Sequence, residues 1–267
     1  MRYCKLLLAD QTPAFATVTD RNNELFATEL IANPFDPQGT PAPTQSFAPI
    51  SLAQLEREHR LLVPVTPSKI VCVGRNYRDH AAELGNDVPT EPLLFLKPPS
   101  SLLPAGATVE RPAISKRVDF EGELAIIIGK QARKLADDAD VASYIHGYTC
   151  LNDVTARDIQ KSDPQWTRGK GYDTFCPTGP VVSDEIKPLT ENISLVTRLN
   201  GEVKQQGETR DFIFDIPDLI RYISQCMTLE PGDLIATGTP AGVGPMQAGD
   251  VVEVEITGLG TLRNPIQ

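Results

Sequence analysis

Short apolar runs broken by turn residues dominate the chain, and they predict strands far more often than helices. Tyr3 to Ala9, Ala14 to Thr19 and Glu24 to Leu30 read as three strands separated by polar turns such as Asp20-Arg21-Asn22-Asn23. The next stretch, Asn33 to Pro49, holds Pro34, Pro37, Pro41, Pro43, Pro49 and Gly39, a composition that sustains neither ladder nor helix. It reads as a connector, followed by a charged helix over Ser51 to Leu62. The chain thus divides into a small N-terminal β-rich domain with its proline-rich connector, residues 1–62, and a main domain, residues 63–267.

From Lys69 onward, strands are expected at Ile70 to Val73, Leu93 to Leu96, Leu124 to Ile128, Val181 to Val182, Ser194 to Leu199, Leu234 to Thr237 and Val251 to Ile256. Two related turns, Glu230-Pro-Gly-Asp233 and Gln247-Ala-Gly-Asp250, each release an apolar strand. Helices are few. Asp215 as N-cap, with Pro217 and Asp218 in the first turn, starts a helix that aligns Ile216, Leu219, Ile220, Ile223 and Met227 on one stripe. A short polar helix spans Asn76 to Leu84 with Gly85 as its stop, and another covers Thr155 to Lys161. The fold class is therefore mixed α/β, mainly β, of the β-roll or barrel kind.

Composition narrows the function. With 25 basic and 35 acidic residues the formal charge is -10, which repels nucleic-acid backbones and anionic membrane surfaces, so neither is expected as a partner. No apolar run approaches the roughly 18 residues of a membrane span. Asp10 closes the apolar stretch after Leu6, Leu7 and Leu8 before a secretory core could form, which makes a cytoplasmic location the expectation. The five cysteines are far apart and lack CxxC spacing, against both a disulfide framework and a zinc-thiolate site.

The chemistry concentrates in Asp119-Phe-Glu121-Gly-Glu123-Leu-Ala-Ile-Ile-Ile128. Strand alternation aims Glu121, Glu123, Ala125 and Ile127 to one side, which puts two carboxylates on a core face. Side chains two apart on a strand lie roughly 7 Å apart, so burying both demands a proton or a cation between them. Asp153, where Tyr148 to Asn152 runs into the next helix, offers a third carboxylate. An all-carboxylate set suits magnesium or manganese and disfavours zinc. Lys170, between Gly169 and Gly171, is placed to stabilise a developing enolate, the glycines letting backbone approach a ligand. His80 and Glu83, three apart on a helix, form a pair able to activate water, whereas His59 and His146 read as surface and structural residues. Thr237-Gly-Thr-Pro-Ala-Gly-Val-Gly244 lacks GxGxxG spacing and precedes a strand, which excludes a nucleotide loop but leaves a pocket-lining role.

Together, Val73-Gly-Arg-Asn-Tyr-Arg-Asp-His80, Asp119-Phe-Glu-Gly-Glu-Leu124, Asn152-Asp-Val-Thr-Ala-Arg-Asp158 and Thr237-Gly-Thr-Pro-Ala-Gly-Val-Gly244 resemble the fumarylacetoacetate hydrolase family, in order, from about Lys69 to Pro265. The resemblance implies a β-roll catalytic domain, a homodimer, and Mg2+ or Mn2+ held by Glu121, Glu123 and Asp153. It further implies catalytic roles for Lys170 and for the His80–Glu83 dyad on a lid helix, and substrate contacts at Arg75, Tyr77, Gln160, Thr174 and Thr239.

The substrate implied is a small anionic 2-oxo acid, drawn in by Arg75, Arg78, Lys97, Arg168 and Lys170. The reaction expected is hydrolysis of a carbon-carbon bond in an acylpyruvate such as fumarylpyruvate. Isomerisation of a hydroxyhepta-diene-dioate and decarboxylation of an oxaloacetate-like acid are the alternatives, and a non-catalytic 2-oxo acid binder is the disfavoured one.

Overall fold

The computed structural model describes residues 1–83 and 88–267, without the side chains of residues 80–82. The expected helix stop at Gly85 and the side chain of His80 lie outside the described residues.

The N-terminal strands form where expected, as an antiparallel meander of Arg2–Leu7, Pro13–Arg21 and Glu24–Ile31. Its second turn is tight because Asn22 and Asn23 both take positive φ, 56° and 65°, the backbone of a primed turn that matches strand twist. These strands extend the main sheet: Arg2 and Tyr3 pair with Ser183 and Val182, giving a twelve-stranded sheet that includes the central strands of the body.

The helix expected over Ser51 to Leu62 is shorter, Leu52–Arg57, capped by Ser51 accepting from the Gln54 amide. His59 at φ 52° ends it, and Leu61–Leu62 leaves as a strand paired with Lys5 and Leu6, because Leu61 gains burial against the sheet that a helical path would deny it. The expected helix forms as Ile216–Cys226, with Asp215 accepting from Asp218 N and Ile216, Leu219, Ile220 and Ile223 buried, while Met227, expected on the same stripe, lies just past the helix end in extended backbone.

The sheets are open and do not close into a barrel. Gly122–Ile128 runs at the centre of the large sheet between Ile145–Asn152 and Leu234–Ala236, and Ile70–Gly74 joins in parallel with the last of these. Both faces of Gly122–Ile128 are buried, so beyond Glu123 it reads as a continuous apolar run, Leu124 to Ile128. Ala125 and Ile127 join one core cluster with Ile70, Cys72 and Leu234, while Leu124, Ile126 and Ile128 join another with the Ile216–Cys226 helix. Each of these Leu and Ile side chains stabilises by about 1.5–3 kcal/mol relative to exposure. A four-stranded sheet, Glu202–Glu208, Ser194–Leu199, Val251–Ile256 and Gly260–Pro265, covers one side. A three-stranded sheet is built from Thr155–Ala156, Val118–Phe120 and Gly244–Met246.

The relation between the large and the three-stranded sheets positions the chemistry. Val118–Phe120 belongs to the small sheet and Gly122–Ile128 to the large one, and the neighbouring chain makes the same transition between Ile145–Asn152 and Thr155–Ala156. Gly122 pairs with Asn152 on one side of the crossing, and Asp119 with Thr155 on the other. Glu121 and Asp153 are the residues at the crossing, joined by Asp153 N donating to Glu121 O at 2.8 Å. No described helix is long and apolar enough to cross a membrane.

Candidate active site

At the crossing, carboxylate oxygens of Glu121, Glu123 and Asp153 all lie within 4.8 Å of one another, each side chain buried. Alternation along the strand leaves Glu121 and Glu123 facing the cleft while Gly122 faces the four-stranded sheet. A side chain at Gly122 has no room: a Cβ there would stand 2.1 Å from Thr197 Oγ1 and 3.2 Å from Val254. The glycine between the two glutamates lets the second sheet seat directly behind them.

Four basic side chains answer these acids. Lys170 Nζ donates to Glu121 Oε2 at 2.8 Å and Asp153 Oδ2 at 2.5 Å, and stands 4.9 Å over the Phe95 ring. Lys97, wholly buried at the end of Leu93–Lys97, donates to Asp153 Oδ1 at 2.5 Å and Val154 O at 3.0 Å. Arg157 bridges Glu121 Oε1 at 2.5 Å and Asp119 Oδ2 at 2.9 Å, and Arg117 completes Asp119. Burial alone would pull the Lys170 ammonium down, but the Asp153 and Glu121 charges more than offset it and hold it protonated, above its ordinary value.

Glu123 is different. Its Oε2 accepts from Gly238 N at 2.7 Å, and among the described residues no salt bridge reaches it. Burial, then the charges of Asp153 and Glu121, push its carboxyl well above the usual carboxylate range. A divalent cation among the three acids answers that excess charge with oxygen donors of the kind hard ions take, so the residues present fit Mg2+ or Mn2+. Binding would then release protons, as ligand carboxyls must be ionised.

The cleft above the acids is small, about 40 Å³, and is lined by Arg75, Phe95, Arg157, Gln160, Trp166, Lys170 and Thr239 besides the three carboxylates. Of the expected substrate contacts, Arg75, Gln160 and Thr239 are therefore brought to it. Arg75 stands at φ 59°, a conformation costing roughly 1–2 kcal/mol for a residue with a side chain. Tyr77 is buried, edge-on to Phe212 at 5.1 Å, and lines a neighbouring cavity with Arg78, Arg210 and Pro240. Thr174 does not reach the cleft: its hydroxyl accepts from Glu110 N at 2.9 Å, and its φ of 69° marks a turn leading into the buried Phe175. The Glu83 carboxylate accepts from Gly242 N at 3.1 Å, which fastens the helix Arg78–Glu83 to the Thr237 to Gly244 loop.

The glycines flanking Lys170 are closely packed against neighbouring backbone and side chains. A Cβ on Gly169 would meet the Gln160 backbone at 2.8 Å, which lets the short helix Thr167–Lys170 dock against Arg157–Ser162, and one on Gly171 would meet Thr167 O at 2.5 Å and Pro98 at 3.0 Å. In the Thr237 to Gly244 loop a glycine does bring backbone to the site, through Gly238 at φ 100° and its amide on Glu123. Burial pushes the Cys4, Cys150 and Cys176 thiols up to about 12, which leaves them inert as nucleophiles.

Asp119 and Arg157 are site residues that the sequence reading did not assign, and Lys97, expected to draw in the substrate, is instead buried against Asp153. Asp119 and Arg157 lie inside the quoted motifs, and their spacing from Glu121 and Asp153 was the available signal. Lys97 ends an apolar strand with no local hint of its buried partner.

The chain is a member of the fumarylacetoacetate hydrolase family. The family model of the fumarylacetoacetate hydrolase C-terminal region matches residues 69–267. The chain is 51 % identical over 203 residues to the mitochondrial oxaloacetate decarboxylase of Dictyostelium discoideum, covering 73 % of this chain and 92 % of that protein. It is 43 % identical over 222 residues to the oxaloacetate tautomerase YisK of Bacillus subtilis, covering 78 % and 73 %. In three dimensions it is similar to the 2-hydroxyhepta-2,4-diene-1,7-dioate isomerase of Mycobacterium marinum, with a TM-score of 0.84, 43 % identity, and 100 % and 98 % of the two chains covered.

Proposed function

We propose that the protein is a Mg2+- or Mn2+-dependent enzyme that converts a small 2-oxo dicarboxylic acid of the oxaloacetate type through its enolate, by decarboxylation or keto-enol exchange. The observation that carries this reading is the convergence of Glu121, Glu123 and Asp153 with Lys170 in one small buried cleft. The named relatives that act on oxaloacetate support the same substrate class.

A divalent ion held by the three carboxylates would supply Lewis-acid polarisation of the 2-oxo group. The chain supplies the rest. Lys170, kept protonated by its acidic neighbours, sits where negative charge develops on the 2-oxo oxygen and can pass a proton to the carbon that loses its substituent. In decarboxylation the bond to the distal carboxylate breaks, its electron pair moves into the enolate, and carbon 3 then takes the proton. Arg75 at the rim offers a positive partner for an acid group, while Phe95 and Trp166 wall the cleft against water.

The hydrolytic reading, cleavage of an acylpyruvate with Glu83 and His80 activating water, is favoured by one observation: Glu83 is fastened to the loop that carries Thr239. A panel of oxaloacetate, fumarylpyruvate and 2-hydroxyhepta-2,4-diene-1,7-dioate, assayed with Mg2+ and corrected for the rate with metal alone, separates the readings. Oxaloacetate should give a kcat/KM at least about tenfold above the others, a difference of ~1.4 kcal/mol in transition-state stabilisation. Faster cleavage of fumarylpyruvate would establish hydrolysis instead.

A further inference from the structure

Gln205 lies on Glu202–Glu208, outside every motif, yet its side-chain amide is buried between the four-stranded sheet and the acidic site. Its Oε1 accepts from Gly122 N at 3.0 Å, and its Nε2 donates to Thr239 Oγ1 and to Pro240 O, both at 2.8 Å. Thr239 Oγ1 in turn donates to Gly122 O at 2.9 Å, which closes a ring. Both backbone polar groups of the residue between Glu121 and Glu123 thus end in this one ring. A primary amide is the side chain that can accept at one atom and donate twice at another.

The strand is shaped to deliver it. Thr197 pairs with Gln205 and Arg198 with Val203, so Lys204 is an extra residue that bulges the strand and re-aims Gln205 toward Gly122. The bulge also brings Lys204 O to where a Cβ of Gly242 would be, 2.0 Å away, fitting the loop closely against it. The ring therefore links the glutamate pair to the loop whose Gly242 amide holds Glu83.

We propose that Gln205 is a positioning residue that sets the spacing of Glu121 and Glu123 for a divalent ion and locks that spacing to the Thr237 to Gly244 loop. This rests on the reading of the acids as a metal centre. The test is Mn2+ affinity, measured by calorimetry on the full, chelator-stripped protein, for wild type and Gln205→Met, which keeps the side chain's length and loses its hydrogen bonds.

The variant should bind Mn2+ about 10- to 100-fold more weakly, the usual cost of losing a partner behind a metal ligand, and saturating Mn2+ should restore its turnover of oxaloacetate. A folded variant with affinity within about twofold of wild type, or with turnover that stays low at saturating Mn2+, overturns the proposal. Should Gln205→Met fail to fold, Thr239→Val, which opens the same ring at Gly122 O, decides it: affinity weakened about fivefold or more supports the proposal and unchanged affinity overturns it. Wild type that binds no Mn2+ refutes the metal centre itself, and the inference with it.

Discussion

Asp153→Asn should lose both metal-dependent stability and turnover. Asp153 is the shared counter-charge of two buried ammonium groups, Lys97 and Lys170, each 2.5 Å from one of its oxygens. An asparagine leaves Lys97 facing a neutral amide while Lys170 keeps Glu121, and stranding a buried charge costs about 3–5 kcal/mol. The same change removes one of three proposed metal ligands, so turnover should fall by about 10²-fold or more. Urea unfolding with and without Mg2+ checks this. Wild type should gain stability as Mg2+ rises above its dissociation constant, whereas the variant should start lower and gain little. A variant that keeps the full Mg2+-dependent gain would show that Asp153 holds no ion.

Lys170→Met should behave in the opposite way toward metal. The Lys170 ammonium pairs with Glu121 and Asp153, two of the acids that would hold a divalent ion, so removing it lifts a competitor. Mn2+ affinity should be retained or improved. Turnover should nevertheless fall about 10²- to 10³-fold at saturating metal, the scale seen when one preorganised electrostatic group is removed from a water-excluded site. Steady-state kinetics at several Mn2+ concentrations separate the two effects. Activity that returns at high Mn2+ would reduce Lys170 to a guard of the empty acids and deny it a part in the chemistry.

Where one residue's local surroundings decide its structure, the sequence was readable. The Asp215 cap, the stripe from Ile216 to Ile223 and the Asn22-Asn23 turn are of this kind, and each forms as patterned. The alternation that put Glu121 and Glu123 on one face also held, since both carboxylates meet Asp153 while Ala125 and Ile127 share one core cluster and Leu124, Ile126 and Ile128 another.

What alternation could not show is that Glu121 and Asp153 sit where two paired chains leave one sheet for another, because that crossing depends on partners about thirty residues apart. The helix over Ser51 to Leu62 was overextended for a similar reason: Leu61 and Leu62 take their conformation from Lys5 and Leu6, which no local window contains. Arg157 and Gln205 were missed as site residues, and the pairing of Lys97 with Asp153 with them, because a buried charge or amide looks ordinary in sequence until its partner is in place. Thr174, expected at the site from the family resemblance, does not line the cleft beside Lys170, and its hydroxyl accepts from Glu110 N.

The most direct measurement is an anomalous difference map from crystals of the chelator-stripped protein soaked in Mn2+. A peak bonded to oxygens of Glu121, Glu123 and Asp153, with Lys170 drawn off the oxygens it now occupies, is the result expected. Soaked crystals that show Lys97 and Lys170 still paired to Asp153, and no peak among the three acids, would contradict the metal centre on which the proposed chemistry depends.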